Sequence, residues 1–435
     1  MVQHGGDEVA AVVIDIGSST LRAGYAGDDT PKAIIPTYYG YRSQPPDADV
    51  AMGGTTGDHS SLKSTSKIAK MFVGQDGPSI YREGMEVGNP LKEGLIEDFN
   101  PITPLIRHAL EDVMRINPTD HPILVTEPAW NTPANRERMA EIIFDEFNAP
   151  AFYIANTSVL NAFAAGKGSA LVIDIGHSEA SVTPVIDGFV LRKGLVHSSL
   201  PALVHQRAKH ILTQANQNRR GINLLPHQLI ANKAPVDPGV DPRFNVREDR
   251  LQGITKSWRN WAENREVDEW MHSIGSVLDQ GWNEQAVAAR GARQYEFPTG
   301  YNYYFGAERF EVGELFFMHP QHLQATNPNL PKPLPQLISA SVTSCDPDIR
   351  QVLLSNVVLS GGGSLFSGLA DRLNSELNRI FNHAKIHAPG NPAERRYGSW
   401  LGGSILASLG TFHQLWISKE EWQEHGRPIV GQRCK

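Results

Sequence analysis

The pentapeptide Val-Ile-Asp-Ile-Gly occurs twice in this chain, at Val13 to Gly17 and again at Val172 to Gly176. In each copy an apolar run typical of a buried strand ends at an aspartate, and a glycine with small polar residues follows. The pattern predicts a tight turn, because glycine lets backbone amides approach an anion and the hydroxyl groups of Ser18, Ser19 and Ser178 add further donors. Both turns are therefore predicted to bind phosphate.

Each pentapeptide carries one carboxylate, Asp15 in the first copy and Asp174 in the second. Because a bare carboxylate repels phosphate, we expect a hydrated divalent cation, magnesium or calcium, between the two aspartates and a phosphate chain. For a single copy, an ordinary hairpin in which aspartate ends a strand is the better interpretation. The repeat changes this, since the aspartates are 174 − 15 = 159 residues apart, a domain's length, and similar strands follow each copy. Two related halves that hold one ligand between them are the simplest explanation.

Composition restricts the class of protein. The chain has 435 residues, of which 40% are hydrophobic and 20% charged, as in soluble globular proteins. Its formal charge of −7 offers no electrostatic surface for nucleic acid or an anionic membrane, so any association with DNA is expected to be indirect. The only cysteines are Cys345 and Cys434, which favours a reducing compartment. The polar segment Met1 to Glu8 does not resemble a secretory signal, and the uncharged stretch Tyr397 to Ser418 is predicted to be a buried helix rather than a membrane span.

Alternating strand and helix patterns predict an α/β architecture, with parallel-containing sheets covered by helices and a ligand in the cleft between the halves. Strands are predicted at Ala33 to Tyr38, Ile123 to Thr126, Phe152 to Ala155, Ala170 to Ile175, Ala180 to Ile186, Phe189 to Val196, Val357 to Leu359 and Lys385 to His387. Helices are predicted at Pro104 to Ile116, Thr157 to Ala165, Pro201 to Ala215, Leu365 to Asn378 and Trp400 to Leu409. A further helix start is marked by Thr132 as N-cap and Pro133 after it. The segment Ser43 to Lys67, rich in Pro, Gly, Ser, Thr and Asp, is predicted to be a mobile loop.

A third glycine cluster, Leu359 to Ser364, lies where a short apolar strand ends and a helix is predicted to begin. Backbone amides at such a place can hold an anion or lie flat under a base. A flexible turn explains three adjacent glycines about equally well. The presence of the two aspartate turns in the same chain is what favours the ligand-binding interpretation of this cluster.

Four of the eight tryptophans fall between Asn218 and Arg293, a region that interrupts the second half. They are Trp258, Trp261, Trp270 and Trp282. Their helical spacing would give a partner-binding stripe if it were exposed. For most of them, burial against their own subdomain is the preferred interpretation.

Four stretches of this chain resemble actin. They are Asp15 to Gly40, which begins DIGSSTLRAGYAGDD, Thr126 to Met139 (TEPAWNTPANRERM), Gly361 to Leu373 (GGGSLFSGLADRL) and Ser399 to Cys434, which begins SWLGGSILASLG. The resemblance covers most of the chain outside residues 43–77 and 218–293. It implies the actin-like fold shared with hexokinase-type sugar kinases and heat-shock chaperone ATPases, in which two similar lobes enclose a nucleotide cleft. The outer lobe would comprise residues 1–165 and 398–435 with a tip loop at 39–88, and the inner lobe residues 166–397 with an insertion at about 218–293.

The resemblance also implies that ATP and a divalent cation, Mg²⁺ or Ca²⁺, bind in this cleft. Matched position by position, the residues expected to bind nucleotide are Gly17, Ser18, Ser19 and Arg22 in the first phosphate loop, Gly176 and His177 in the second, and Gly361, Gly362, Gly363, Phe366 and Arg396 around the adenosine. The metal is expected at Asp15 and Asp174.

Three departures from the actin pattern lie at this expected site. Thr157 replaces the glutamine that positions the attacking water, and Ser181 replaces a nearby histidine. Losing such groups lowers a rate about 10²- to 10⁴-fold. His177 replaces a carboxylate of the second phosphate loop, which changes what the protein offers to the cation. No catalytic residue is therefore expected, and ATP is interpreted as a structural ligand that holds the two halves together.

Among actin-related proteins, the chain is most similar to a nuclear subunit of chromatin-remodelling and histone-acetyltransferase complexes, with roles in transcription regulation and DNA repair. The resemblance implies a nuclear location and these partners: actin, a helical segment of the remodeller's large ATPase subunit and, as further candidates, histones or nucleosomes. The rewritten tip loop and the extra inner-lobe sequence argue against polymerisation. Alternatives are a filament-forming actin-like ATPase, a small-molecule kinase, for which no carboxylate base is evident, and a chaperone, which would need a separate peptide-binding domain.

Overall fold

The computed structural model describes residues 10–43, 68–217, 219–327 and 329–435, and within these ranges the chain forms two large mixed sheets. The first sheet contains, in spatial order, Ile417–Ser418, Ala151–Asn156, Ile123–Glu127, Val12–Ile16, Thr20–Tyr25 and Ala33–Pro36. Its first pentapeptide strand, Val12–Ile16, runs antiparallel to the next strand along the chain and parallel to Ile123–Glu127. Both faces of this strand are covered, which explains its continuous rather than alternating apolar run.

The second sheet repeats the arrangement of the first. Its strands are, in spatial order, Phe189–Val190, Ala180–Ile186, Ala170–Ile175, Val357–Ser360 and Ile386–His387, and Val196–Ser198 also pairs with Ala180–Ile186. The second pentapeptide strand, Ala170–Ile175, again pairs antiparallel with the next strand and parallel with a strand from far along the chain, Val357–Ser360. The predicted α/β architecture is confirmed.

Helices follow the strands in the predicted alternating order. The α-helices are Ile102–Arg107, Pro133–Glu141, Thr157–Ala164, Leu200–Thr213, Glu248–Leu251, Lys256–Ile274, Glu284–Ala289, Glu308–Glu314, Gln321–Thr326, Leu334–Ser344, Pro347–Ser355, Leu369–Ile380, Pro392–Arg396, Gly398–Ser408, Lys419–His425 and Pro428–Arg433. The helices at Ile102 and Pro133 continue as π-helical turns, His108–Val113 and Ile142–Glu146. The predicted helix start is confirmed, since the Thr132 side chain accepts a hydrogen bond from Asn135 N.

Four smaller sheets extend from the two large ones. A three-stranded sheet of Ile68–Phe72, Tyr39–Ser43 and Glu86–Gly88 lies within the predicted tip loop, residues 39–88. The remaining pairs are Leu91–Lys92 with Leu95–Ile96, Ile230–Ala234 with Arg243–Val246, and Arg293–Glu296 with Asn302–Phe305. Most of the predicted mobile loop, residues 44–67, lies outside the described residues.

Each large sheet has its own hydrophobic core, one around the strands of the first sheet and one around those of the second. Trp400 is fully buried in the first core, and its Nε1 donates to Val13 O at 3.1 Å. The helix that carries it, Gly398–Ser408, confirms the predicted buried helix for the first half of the uncharged stretch, and the second half forms a 3₁₀ turn at Gly410–Gln414 and the strand Ile417–Ser418. No helix among the described residues combines the length and apolar character that a bilayer span requires.

Three predicted strands are shorter than expected. The strand predicted to reach Tyr38 ends at Pro36, and the strand predicted from Lys385 begins at Ile386. The strand predicted over residues 189–196 is interrupted by a short 3₁₀ turn at Arg192–Gly194. The chain bends there and re-joins the sheet at Val196.

The helix predicted after the third glycine cluster begins four residues later than expected, at Leu369 instead of Leu365. A 3₁₀ turn at Gly362–Leu365 precedes it. This turn lies between Gly361 and Gly368, whose φ angles of 87° and 83° are unfavourable for residues with a Cβ. The glycines therefore shape a turn before the helix starts.

Three of the four tryptophans of the interrupted region are buried, and Trp282 is partly buried against the cluster of Leu278, Val287 and Phe310. Trp258, Trp261 and Trp270 are 1%, 7% and 0% exposed. Trp270 packs in the core of the second sheet, within its own lobe. For Trp258 and Trp261 the expectation of packing within their own subdomain is wrong, because both share a cluster with Phe72 and Met85 from the first half.

Candidate functional site

The two aspartate turns face each other across a cleft. Gly17 N donates to Thr20 O at 3.0 Å and closes the first turn, and Gly176 N makes the matching bond in the second turn at 2.8 Å. Across the cleft, Ser178 Oγ donates to Ser18 Oγ at 2.9 Å. Turns that are far apart in the sequence are therefore in direct contact in the fold.

A cavity of about 370 Å³ lies at these turns. The predicted nucleotide and metal residues all line it: Asp15, Gly17, Ser18, Ser19, Arg22, Asp174, Gly176, His177, Gly361, Gly362, Gly363, Phe366 and Arg396. The third glycine cluster is brought there because its strand, Val357–Ser360, pairs in register with the strand that carries Asp174. The register of the second sheet thus places the third cluster beside the second aspartate turn, and the contact between Ser178 and Ser18 brings in the first turn.

Asp15 is held by three donors of the protein. Arg22 Nη1 lies 2.6 Å from its Oδ2, Ser399 Oγ donates to the same oxygen at 3.0 Å, and Thr126 Oγ1 donates to Oδ1 at 2.6 Å. Arg22 is its partner in the hairpin register, so the antiparallel pairing itself places the guanidinium beside the carboxylate. The charge of Asp15 is therefore compensated within the protein.

Asp174 occupies the equivalent position of the second hairpin without such compensation. Its partner in the register is Ser181, which carries no charge, and its Oδ2 accepts a long hydrogen bond of 3.5 Å from Asn161 Nδ2. Burial, reinforced by the negative charge of Asp15, raises the pKa of Asp174 to about 6. Because the raised pKa means that the ionised carboxylate is disfavoured, a bound cation would stabilise it. The duplicated motif is thus symmetric in backbone but not in charge.

Two local features fit a bound nucleotide. Arg22 Nε is buried and has no hydrogen-bond partner among the described residues, which leaves a donor free for an anion. A Cβ added to Gly361 would lie 2.3 Å from Asp174 Oδ1, and one added to Gly363 would lie 2.8 Å from Gly176 O. The glycine turn therefore packs directly on the second aspartate turn, and only residues without a side chain leave the space at these positions.

Asp268 joins the second turn to the long helix Lys256–Ile274. Its two carboxylate oxygens each lie 3.3 Å from a histidine, Oδ2 from His177 Nε2 and Oδ1 from His205 Nε2. Burial alone would raise the pKa of Asp268, but the hydrogen bonds and charges of the two histidines outweigh it and hold that pKa below its ordinary value. Burial likewise works to lower the pKa of His177, but the bond to Asp268 outweighs it and raises that pKa. Positive charge at His177 is therefore favoured beside the two aspartate turns.

Thr157 and Ser181 carry hydroxyl groups at the two positions where the resemblance to actin leads us to expect a glutamine and a histidine. Thr157 is the first residue of the helix Thr157–Ala164, which Asn156 caps by accepting from Ser158 N. Thr157 and Ser181 both line the cavity. A hydroxyl can donate and accept hydrogen bonds, but it does not take up a proton near neutral pH as an imidazole does.

Glu179, a carboxylate in the wall of the cavity, has a raised pKa. Glu179 lies in the second turn, and burial together with the nearby charge of Glu93 raises its pKa to about 7. Glu127, also in the cavity wall, has its pKa raised by burial, but Arg136 Nε at 3.0 Å and Asn131 Nδ2 at 2.9 Å hold its carboxylate in place. Glu179 is therefore the carboxylate in this cavity that is best suited to exchange a proton at neutral pH.

Sequence reasoning missed several residues of the site. His205, Asp268, Met271 and His272 line the cavity, yet they come from two helices that the pentapeptides do not predict. The His177–Asp268 contact spans 91 residues of sequence, and no local pattern signals it. The helical spacing of the tryptophans was the one available signal that a helix of the insertion faces inward.

The chain is similar to known proteins over nearly its whole length. A sequence profile of the family described as Actin matches residues 6–435. The chain is 39% identical over 428 residues to actin-related protein 4 of Yarrowia lipolytica, covering 97% of this chain and 95% of that protein. It is 35% identical over 532 residues to the protein of the same name from Mycosarcoma maydis, covering 99% of each, and 34% identical over 452 residues to that of Arabidopsis thaliana, covering 99% and 100%.

Proposed function

The chain belongs to the actin family, and we propose that it is a nuclear protein of the actin-related protein 4 type that keeps ATP and a divalent cation as structural ligands. The observation that carries this proposal is the cavity between the two aspartate turns, where Arg22 Nε is a buried donor without a partner among the described residues. The Asp174 carboxylate adds support, because burial and the charge of Asp15 outweigh the opposing effects of Arg22 and Asn161 and raise its pKa to about 6.

The residues that were predicted to bind nucleotide and metal fall into groups with different roles in this proposal. The amides and hydroxyls of the two turns bind phosphate oxygens, and Arg22 and His177 add positive charge. Asp15 and Asp174 hold a hydrated cation, which when bound neutralises the phosphates and separates the two carboxylates. The glycine cluster with Phe366 and Arg396 forms the wall for the adenosine. Because both lobes contact the same ligand, binding opposes their separation.

Retention of ATP without turnover is proposed from the hydroxyls at Thr157 and Ser181. Binding residues are present while the two residues that would orient and deprotonate a water are replaced. The role of the protein is then to present a stable surface. We propose actin and a helical segment of a remodeller ATPase subunit as its partners, with histones or nucleosomes as further candidates, in chromatin-remodelling and histone-acetyltransferase complexes of the nucleus. The names of the relatives and the resemblance of the cleft support this assignment.

Acid extraction of the purified protein tests the nucleotide. We expect ATP in the extract, and we expect Asp15→Ala together with Asp174→Ala to remove it and to lower the melting temperature. A matched control replaces two exposed aspartates, Asp241 and Asp279, by alanine and should retain the nucleotide. An extract without nucleotide, or a cleft variant that keeps it, would contradict the proposed site.

Affinity purification of the tagged protein from nuclear extract tests the partners. Recovery in a stoichiometric assembly with actin and a large ATPase subunit is expected. Recovery as abundant free protein that forms filaments would instead support the filament-forming ATPase.

Residual hydrolysis is a second candidate function, favoured by Glu179. Its pKa of about 7 lets it accept a proton from water at neutral pH, and it lies in the cavity wall. If it acts so, phosphate release rises as the pH increases through about 7 and becomes flat in Glu179→Gln. Release no faster than the buffer blank at every pH would exclude this candidate.

A further inference from the structure

A second cavity lies outside the cleft, in the inner lobe, and we call it the insertion groove. It has a volume of about 470 Å³ and is lined by His227, residues 230–233, Glu266, Glu269 and residues 295–298. These residues belong to the hairpin that begins at Ile230, the helix Lys256–Ile274 and the strand Arg293–Glu296 with the turn after it. Within the described part of the chain, the groove shares no lining residue with the cleft cavity. The groove is therefore a separate site.

Glu266 is the buried carboxylate of this groove. It lies on the buried face of its helix, between Ala262 and Trp270, and is only 4% exposed. Its Oε2 is buried and has no hydrogen-bond partner among the described residues. A buried carboxylate without a donor is costly, and such groups normally have a partner or bind a cation. Glu266 therefore presents an unpaired acceptor to the groove.

The other charged groups of the groove leave this acceptor without a positive partner. The exposed Glu269, one helical turn further along, has its Oε1 at 3.7 Å from Arg265 Nη2. Lys233 is held by Glu296, with 2.5 Å between Nζ and Oε1. The lining thus contains three carboxylates and one ammonium group, beside a histidine. A second positive charge would fit the groove.

The electrostatics of Glu266 agree with this geometry. Burial, reinforced by the charge of Glu269 and opposed by that of Arg265, raises the pKa of Glu266 to about 7. In the empty groove, about half of the molecules therefore keep this carboxyl group protonated at neutral pH. A cation that enters the groove can take the place of that proton.

Tyr295 provides an aromatic wall beside the two carboxylates of the helix. Its ring meets that of Phe297 edge to face, with centroids 4.8 Å apart, and its backbone pairs with Tyr303 in the hairpin. Burial and the charges of Glu269 and Glu266 raise the pKa of the Tyr295 phenol, so it stays neutral next to them. Carboxylates attract a cation, and the face of an aromatic ring adds a cation–π contact.

We propose that the insertion groove binds the guanidinium group of an arginine on a partner protein. A guanidinium suits a buried carboxylate better than an ammonium group because it is more weakly hydrated. Its planar fork of five donors can serve Glu266 and Glu269 together, and its face can stack on Tyr295. This site goes beyond the proposed function, because the groove lies outside the cleft and needs no nucleotide. Either proposal can therefore fail without the other.

Fluorine NMR of a short arginine peptide tests the site. The full-length protein is titrated at pH 8 into the amide of N-trifluoroacetyl-Gly-Ser-Arg-Ser-Gly, whose trifluoromethyl signal reports binding. We expect saturable binding that Glu266→Gln weakens at least about tenfold, because a buried charge pair loses at least that much when one partner is removed. Glu284→Gln is the matched control and should bind like wild type, since Glu284 is an exposed glutamate on another helix of the insertion. Absence of saturable binding, or equal binding by wild type and Glu266→Gln, would overturn the proposal.

Two further peptides test which chemical group is recognised. Citrulline has the shape of arginine without its charge, so the citrulline peptide should not bind. The lysine peptide should bind more weakly than the arginine peptide, because an ammonium group is more strongly hydrated and lacks the planar fork. Binding of the citrulline peptide as tight as that of the arginine peptide would refute recognition of charge. A lysine peptide that binds equally well or better would refute recognition of a guanidinium.

The pH dependence separates a direct contact from a structural effect of the substitution. Wild-type affinity for the arginine peptide should fall about tenfold from pH 8 to pH 6, because the ionised fraction of a carboxyl group with a pKa of about 7 falls from about 0.9 to about 0.1. Glu266→Gln should lack this loss. The other charged or titratable groups at the groove remain in the variant, so any pH effect left there belongs to them; they are His227, Lys233, Arg265, Glu269, Tyr295 and Glu296. Parallel pH profiles for the two proteins would overturn the proposal.

Discussion

Replacement of Asp174 by asparagine is expected to stabilise the nucleotide-free protein while removing its response to ATP and cation. The carboxylate is buried in the second turn, faces the charge of Asp15 and has no arginine like the one beside Asp15. Asp174→Asn keeps the shape and the acceptor for Asn161 but removes the charge. The Asp174 carboxylate would thus favour ligand binding while lowering the stability of the nucleotide-free protein.

The magnitude follows from the pKa. Its rise from 3.8 to about 6 corresponds to roughly 3 kcal/mol of unfolding free energy. A carboxyl group with a higher pKa in the folded protein destabilises the fold once it ionises. The penalty is therefore absent below pH 3.8, grows between 3.8 and about 6, and is complete above about 6. At pH 7.5 the variant should melt higher by about 1 °C for each kcal/mol that the amide recovers, because an unfolding entropy of about 2.1 cal/mol/K per residue amounts to about 0.9 kcal/mol/K over 435 residues.

Thermal unfolding in EDTA without nucleotide, at pH 7.5 and pH 5.0, measures the effect. We expect the advantage of Asp174→Asn to shrink by roughly half at pH 5.0, because part of the penalty is already relieved there. Addition of ATP with Mg²⁺ should stabilise wild type more than the variant.

Asp268→Asn provides a control of opposite sign. The side chain of Asp268 is 27% exposed, and two histidines hold its pKa below the ordinary value, so its charge contributes stability above the unfolded pKa and this variant should melt lower at pH 7.5. A lower melting temperature for Asp174→Asn at pH 7.5, or a difference from wild type that does not change with pH, would refute the reasoning about Asp174.

Three further predictions concern the same cavity. Gly361→Ala should lower ATP affinity by at least tenfold in equilibrium titration, because its φ is 87° and the added Cβ would lie 2.3 Å from Asp174 Oδ1. Thr157→Gln combined with Ser181→His should raise phosphate release by about 10²-fold if the missing hydrolytic groups alone prevent turnover; an unchanged rate would mean that another feature prevents it. His177→Gln should weaken ATP binding and flatten its pH dependence, whereas wild-type affinity should fall as the pH rises through the raised pKa of His177; parallel pH profiles would contradict a charged histidine at the phosphates.

Much of the fold was predictable because its signals are local. The repeated pentapeptide specifies a buried strand and a tight turn within a few residues, and helix starts such as Thr132 with Pro133 obey capping chemistry that needs no distant partner. The buried helix around Trp400 was predictable from composition alone. The start of the helix Leu369–Ile380 was predicted less accurately, since the turn between Gly361 and Gly368 depends on backbone angles that the amino-acid sequence does not specify.

The α/β class, the two aspartate turns and the residues around them could be inferred from the amino-acid sequence, because short-range periodicity and turn chemistry encode these features. The pairing of Asp15 with a charged arginine and of Asp174 with an uncharged serine became known from the three-dimensional fold, since it depends on which side chain the hairpin register places opposite each carboxylate. The fold also shows that Asp268 joins two histidines and that Trp258 is buried by the other lobe through a contact spanning 180 residues. Such pairings arise from how the lobes fold onto each other, and contacts at that separation leave no periodic pattern along the chain.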